Sequence, residues 1–200
     1  MKKILLLGLV ILASIGVNAQ AYQIGDEAID FKLKNVDGKH ISLSDYKDAK
    51  GFIVIFTCNH CPYSVAYEDR IIEIDKKYKA KGFPVIAINP NDPELYPSDS
   101  FENMIIRSEE KGFTFPYIFD NTQEIYKTYG ATKTPHVFIL SNNSGKYKVE
   151  YIGAIDNNYK DAKQVTEHYI NDAVDALLQN KKPKVTSTKA IGCSIKSKKS

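Results

Sequence analysis

The stretch FTCNHCPYSVAYEDR, residues 56–70, sets two cysteines three positions apart, Cys58 and Cys61, with His60 between them and Pro62 directly after. Such a pair is half of a metal site, a dithiol that opens and closes as a disulfide, or a coincidence. Its surroundings favour chemistry at sulfur. The preceding run GFIVIFT is apolar and β-branched throughout, as in a strand buried on both faces, so Cys58 falls at its carboxyl end. Beyond Cys61, the residues Tyr67, Ile71, Ile74 and Tyr78 recur at spacings of four, three and four, one stripe of an amphipathic helix closed by Gly82. A thiol at a helix start meets unpaired N–H groups and the positive end of the dipole, both of which favour thiolate. His60, when protonated, acts the same way, and Pro62 suits a first turn, where its missing N–H costs nothing. The expectation is a Cys58 thiol titrating below the free value of about 8.5.

Metal binding is the competing chemistry. Structural zinc sites show a second Cys or His pair at matching spacing, whereas Cys193, His40, His136 and His168 are each isolated here. Lone histidines are more often solvated or satisfied in a core than ligating. Copper(I) held by Cys58, Cys61 and one distant histidine stays open, because soft thiolates suit that ion.

The elements around the pair follow from patterning. FKLKNVDGKHISL (31–43) alternates about Asp37-Gly38 and predicts a hairpin. FPVIAIN (83–89) reads as a second buried strand, followed by a Pro- and Asp-rich loop and a helix over 100–111 ended by Gly112. YIFD, a short helix over 124–129, the strand HVFILS, a turn at 142–145 and the returning strand YKVEYIG come next, with a last helix over 162–179 that presents Val165, Tyr169, Ala173 and Leu177 on one face. Strands alternating with helices and ending in an antiparallel pair predict an α/β fold, a mixed central sheet flanked by helices with an N-terminal β-hairpin extension.

At 200 residues with 43% hydrophobic content, the chain is the size of one globular domain. Net charge is +3, but residues 181–200 hold seven lysines and no acid, so the body is mildly acidic and a nucleic-acid partner is not expected. That Lys-rich C-terminal tail, 181–200, contains Cys193 and reads as extended, and mobile except where something ties it down. Lys2 and Lys3, the apolar run from Ile4 to Gly16 and the small residues after it predict a signal peptide over 1–19, cut after Ala19 or, one register on, after Ala21. An uncleaved anchor is the alternative, although the run is short of the ~20 residues that a spanning helix needs. The domain proper is then 20–180, periplasmic or otherwise exported, where disulfides persist.

GDEAIDF (25–31) with DGKHISLSDYK, FTCNHCPY with EDR further along its helix, AINPND, ATKTPHVFIL, YIGAID and IGCSIK occur in this order, over about residues 25–196. In that order and combination the chain resembles the thioredoxin superfamily, in particular the redoxin or peroxiredoxin-like (AhpC/TSA-related) branch of secreted bacterial proteins. The resemblance implies a thioredoxin-like fold, Cys58 as attacking and Cys61 as resolving thiol, Pro135 as a cis-proline, and Thr134 offering its backbone to an incoming peptide. Gly153 would be the strand-end glycine facing the substrate groove. Departures are visible too. Thr57 stands where thioredoxins carry tryptophan, and Phe52 where they bury an aspartate, which leaves the proton acceptor for Cys61 unassigned. Lys133 stands where some of the branch carry cysteine beside the cis-proline, and Ser197 where the branch's tail often continues with tryptophan, which weakens the case for a docked tail. Peroxiredoxins place a proline seven residues and a threonine three residues before the reactive cysteine; Gly51 and Ile55 occupy those positions.

The expected function is extracytoplasmic thiol–disulfide exchange through Cys58 and Cys61, assisted by His60, without flavin, haem or metal. Expected partners are a disulfide-containing protein substrate and a membrane or soluble thiol carrier, with the protein itself a monomer. A peroxidase and a copper(I) chaperone are the alternatives. Cys193 is either an inert exposed thiol, half of an intermolecular bridge, or an auxiliary thiol of the active site.

Overall fold

The computed structural model describes residues 21–198; the segment expected to be a signal peptide lies outside them. In chain order the elements are β1 (Glu27–Ala28), β2 (Leu33–Asn35), β3 (His40–Ile41), β4 (Gly51–Phe56), α1 (Pro62–Tyr78), β5 (Val85–Asn89), α2 (Phe101–Lys111), β6 (Tyr117–Phe119), α3 (Glu124–Tyr129), β7 (Lys133–Thr134), β8 (His136–Asn143), β9 (Lys146–Gly153), α4 (Tyr169–Leu178) and β10 (Cys193–Ser194). Eight strands form one sheet in the order β1-β9-β8-β4-β5-β6-β2-β3, with β4, β5 and β6 mutually parallel and the other pairs antiparallel. β7 and β10 form a separate two-stranded ladder.

Strand β4 lies at the centre because every one of its residues is buried. Successive side chains leave a strand on opposite faces. Ile53 and Ile55 therefore join Tyr67, Ile71, Ile74 and Tyr78 of α1 and Ile170, Ala173 and Val174 of α4 on one side. Phe52, Val54 and Phe56 meet Tyr126 and Tyr129 of α3 and the N-terminal segment on the other. The hairpin about Asp37-Gly38 forms as expected and extends the sheet at the β6 edge, pairing Lys34 with Phe119. The turn between β8 and β9 closes on Ser144 and Gly145, both at positive φ, as a two-residue hairpin requires.

Two expectations are corrected. The last helix begins at Tyr169; residues Ala162–Gln164 form a separate 3₁₀ turn. Between them the Asn157 side chain bonds the Thr166 and Glu167 amides and the Thr166 hydroxyl, which holds that stretch extended. The buried stripe is consequently Ile170, Ala173 and Val174, with Tyr169 and Leu177 partly covered and Val165 outside it. The tail is extended as expected, and over its described residues, 181–198, it is tied down at several points. Thr186 and Thr188 bond to Ile152, β10 pairs with β7, and Lys196 bonds the Asp92 amide at 2.9 Å. Ser197 replaces the aromatic residue of the family pattern with a 2.6 Å hydrogen bond to the Tyr126 hydroxyl.

Candidate active site

Strand β4 delivers Cys58 to the carboxyl edge of the sheet, two residues past its last ladder pair, after the Thr57 amide bonds the Ile88 carbonyl. Cys61 is the N-cap of α1, with Pro62 at the first helical position. From the start of the neighbouring strand β8 comes the Thr134–Pro135 peptide, which is cis. Thr134 touches both sulfurs: its hydroxyl lies 3.3 Å from Cys58 Sγ, and its carbonyl accepts from Cys61 Sγ at 3.1 Å. The structure thus brings Cys58, Cys61, Thr134 and Pro135 together. All three cysteines are free, with Cys58 and Cys61 buried and Cys193 partly exposed.

The electrostatics reverse the expectation for Cys58. Its interaction with Cys61, followed by burial and the nearby Asp99 carboxylate, pushes Cys58 up. Cys61 is lowered, first by that same interaction, then against burial by the Cys193 thiol and the backbone N–H groups of Ser64 and Cys193. The Thr134 carbonyl favours the neutral Cys61 thiol and so opposes this. The two sulfurs therefore titrate together as a pair, Cys58 pushed up and Cys61 pulled down.

His60 does not act on Cys58 alone. Its Nδ1 lies 2.5 Å from Asp99 Oδ2, and its ring stacks on Tyr96 at 4.4 Å between centroids. Asp99 is fully buried and also accepts from the Asn59 amide at 2.8 Å and Asn91 Nδ2 at 2.7 Å. This carboxylate was not legible in the sequence, where it is one acid in a Pro- and Asp-rich loop some forty positions from the cysteines. It bolts that loop to the Cys58–Cys61 turn. Further along α1, the EDR residues are also structural: Glu68 takes a two-pronged pair from Arg107 at 2.7 and 2.6 Å, and Arg70 pairs with Asp156 at 2.6 Å.

Because Asp99 disfavours negative charge beside it while a protonated His60 favours it, the two should tune the pair in opposite directions. Asp99→Asn is expected to stabilise the reduced dithiol and raise its reduction potential, by roughly 30 mV for each pKa unit of thiolate stabilisation. His60→Ala should lower it. Equilibration in glutathione buffers reads both, and shifts of the same sign would sink this account.

Among the described residues, one group sets three ligand atoms within 4.8 Å of one another: Cys58, His60 and Asp99. It joins a soft sulfur to a hard carboxylate whose oxygen is already engaged by the imidazole, a poor match for copper(I). The distant histidine of the copper reading does not join it. His136 lies in the core, accepts the Thr132 amide at 3.2 Å and is pushed down to about 4 by burial, while His40 and His168 are exposed. Gly153 meets the tail: a Cβ there would fall 2.2 Å from Thr188 Oγ1.

A cis-proline loop facing a dithiol at the start of a helix, on a mixed sheet with helices on both faces, defines a thioredoxin-like protein. The thioredoxin domain of a thiol-disulfide oxidoreductase from Bacteroides vulgatus shares this fold, with a TM-score of 0.54 and 19% identity over 66% of this chain and 91% of that one. Residues 24–152 match the AhpC/TSA family, and the chain belongs to it. It is similar to the thiol-disulfide oxidoreductase ResA of Geobacillus thermodenitrificans, at 29% identity over 80% of this chain and 86% of that protein. An uncharacterized conserved protein from Geobacillus kaustophilus, known from a crystal structure, is closer in shape, with a TM-score of 0.82 and 38% identity over 89% of this chain and 94% of that one.

Proposed function

We propose that this protein is a thiol–disulfide oxidoreductase that works outside the cytoplasm on protein disulfides through Cys58 and Cys61. The observation that carries the reading is the meeting of both buried sulfurs at Thr134, whose hydroxyl lies 3.3 Å from Cys58 Sγ and whose carbonyl accepts from Cys61 Sγ, beside the cis Thr134–Pro135 peptide. A dithiol that shares one proton holds one nucleophile and one resolving thiol in the same contact. A proton hop from Cys58 to Cys61 frees the Cys58 thiolate, which attacks a substrate disulfide, forms a mixed disulfide and expels one substrate thiolate. Cys61 then attacks Cys58, releasing the second substrate thiolate and leaving the Cys58–Cys61 disulfide. The reverse sequence donates a disulfide. Location outside the cytoplasm rests on the charged start and apolar run of residues 2–16. Among the described residues no helix is long and apolar enough to cross a membrane. The partners in this reading are a disulfide-containing protein, to which Thr134 offers its backbone once the tail strand β10 gives up that edge, and a membrane or soluble thiol carrier that resets the pair; the working form is a monomer.

Reduction of insulin disulfides by the thiol-reduced protein tests the reading. Cys58→Ser and Cys61→Ser should each lower the rate on the order of a hundredfold or more, since the two sulfurs act as a unit. Cys61→Ser should also accumulate mixed disulfides at Cys58. Wild-type rates in either variant would overturn the proposal.

A further inference from the structure

The tail lies where an incoming chain would have to lie. Strand β10 pairs antiparallel with β7 so that Cys193 stands opposite Thr134, the residue whose carbonyl accepts from Cys61. The preceding Gly192 sits directly on the cis peptide: a Cβ there would fall 2.2 Å from the Thr134 oxygen and 3.0 Å from the Pro135 nitrogen, both backbone atoms that cannot yield. Cys193 is thereby set opposite the residue whose carbonyl holds the Cys61 thiol, near enough for its own thiol and N–H to lower Cys61. Beneath this cover Cys58 and Cys61 are 3% and 0% exposed, whereas Cys193 is partly open. A protein disulfide cannot reach the buried pair while the tail is seated, yet the tail carries a thiol at the point of contact.

We propose that Cys193 is a third exchange thiol, held on the β7 edge so that a disulfide passes between the buried pair and the surface through a Cys61–Cys193 bond. This inference rests on disulfide exchange at Cys58 and Cys61. The step is an isomerisation that needs no external oxidant. With Cys58–Cys61 oxidised, the Cys193 thiolate attacks Cys61 Sγ. The Cys61–Cys193 bond forms, the Cys58–Cys61 bond breaks, and Cys58 leaves as a thiolate that takes up the proton Cys193 gave up. An external thiolate then attacks the open Cys193 sulfur, forms a mixed disulfide there and expels the Cys61 thiolate. In the reduced protein Cys193 is held up to about 11, by burial first and then by its neighbour Cys61, while Lys196 and Lys133 pull the other way. Oxidation of Cys61 removes its negative charge and leaves the two lysines acting, so Cys193 becomes nucleophilic when there is a disulfide to accept.

The full-length mature protein is treated with glutathione disulfide, alkylated and mapped by non-reducing mass spectrometry. Wild type should contain a Cys58–Cys61 bond; without one, disulfide exchange at the pair and the relay fall together. Cys58→Ser should close an intramolecular Cys61–Cys193 bond, and Gly192→Val in that background should lower its yield at least tenfold, because the valine side chain cannot share space with the Thr134 carbonyl. Persistent glutathione adducts at Cys61 and Cys193 in Cys58→Ser, alongside a normal Cys58–Cys61 bond in wild type, would overturn the relay alone. Cys193→Ser should keep the Cys58–Cys61 disulfide and lower the rate of exchange with insulin at least tenfold. An unchanged or faster rate would mean that the tail is merely a cover, and would also overturn the relay.

Discussion

Given hydrogen peroxide, the reduced protein is expected to react as an ordinary protein thiolate, at least ~100-fold below the rate reached where preorganised donors hold the peroxide. Peroxiredoxins build that cradle with a proline and a threonine placed seven and three residues before the reactive sulfur. Here those positions lie on the straight strand β4. Gly51 stands at its far end, roughly 20 Å from Cys58 at about 3.3 Å per residue, and a Cβ there would fall 2.2 Å from the Leu140 carbonyl oxygen. Ile55 is fully buried in the core shared with α1. Thr134 does supply a hydroxyl to Cys58, but it is itself buried. A sulfenic acid formed at Cys58 would also be captured by Cys61 as a disulfide. Stopped-flow peroxide consumption, run beside insulin reduction on the same sample, decides the point. Rapid peroxide turnover with inert insulin would replace the proposed function with a peroxidase.

Replacing Arg107 with methionine is expected to cost about 3 kcal/mol of stability, a fall in Tm of roughly 6–12 °C for a domain of this size. Glu68 is buried on α1 and held by both prongs of the Arg107 guanidinium, with Lys111 3.5 Å away as a weaker partner. Removing the guanidinium leaves a buried carboxylate short of its main counter-charge. The Glu68→Gln, Arg107→Met double variant should recover more than half of the loss, since neutralising the orphan removes most of the penalty. The exposed Lys76–Glu73 pair is the contrast: Lys76→Met should shift stability by no more than about 0.5 kcal/mol. Thermal unfolding of the four chains measures all of this, and an Arg107→Met chain as stable as Lys76→Met would refute it.

The sequence determined what short-range rules can determine. A continuous β-branched run made β4, apolar spacing made α1, an Asp-Gly step made the edge hairpin, and these alone carried Cys58 and Cys61 to one sheet edge. The resemblance supplied Pro135, whose isomer no local pattern reveals. The last helix starts seven residues later than apolar spacing suggests because Asn157, a side chain outside the segment, holds the stretch before it extended. The remaining decisions belong to tertiary structure. Asp99 sits some forty positions from the cysteines, and neither periodicity nor spacing links the two. After the interaction between the two thiols and burial, its charge helps to push Cys58 up, while donors from the tail help to lower Cys61. Strand β10 is two residues long, too short to leave a pattern, and exists only because β7 offers an open edge. Lysine content marked the tail as solvated, but its backbone bonds hold it across the active-site edge. Local composition fixes which residues favour a strand, a helix or sulfur chemistry; which distant groups share a desolvated space, and so which sulfur stays reachable, is settled when the chain closes on itself.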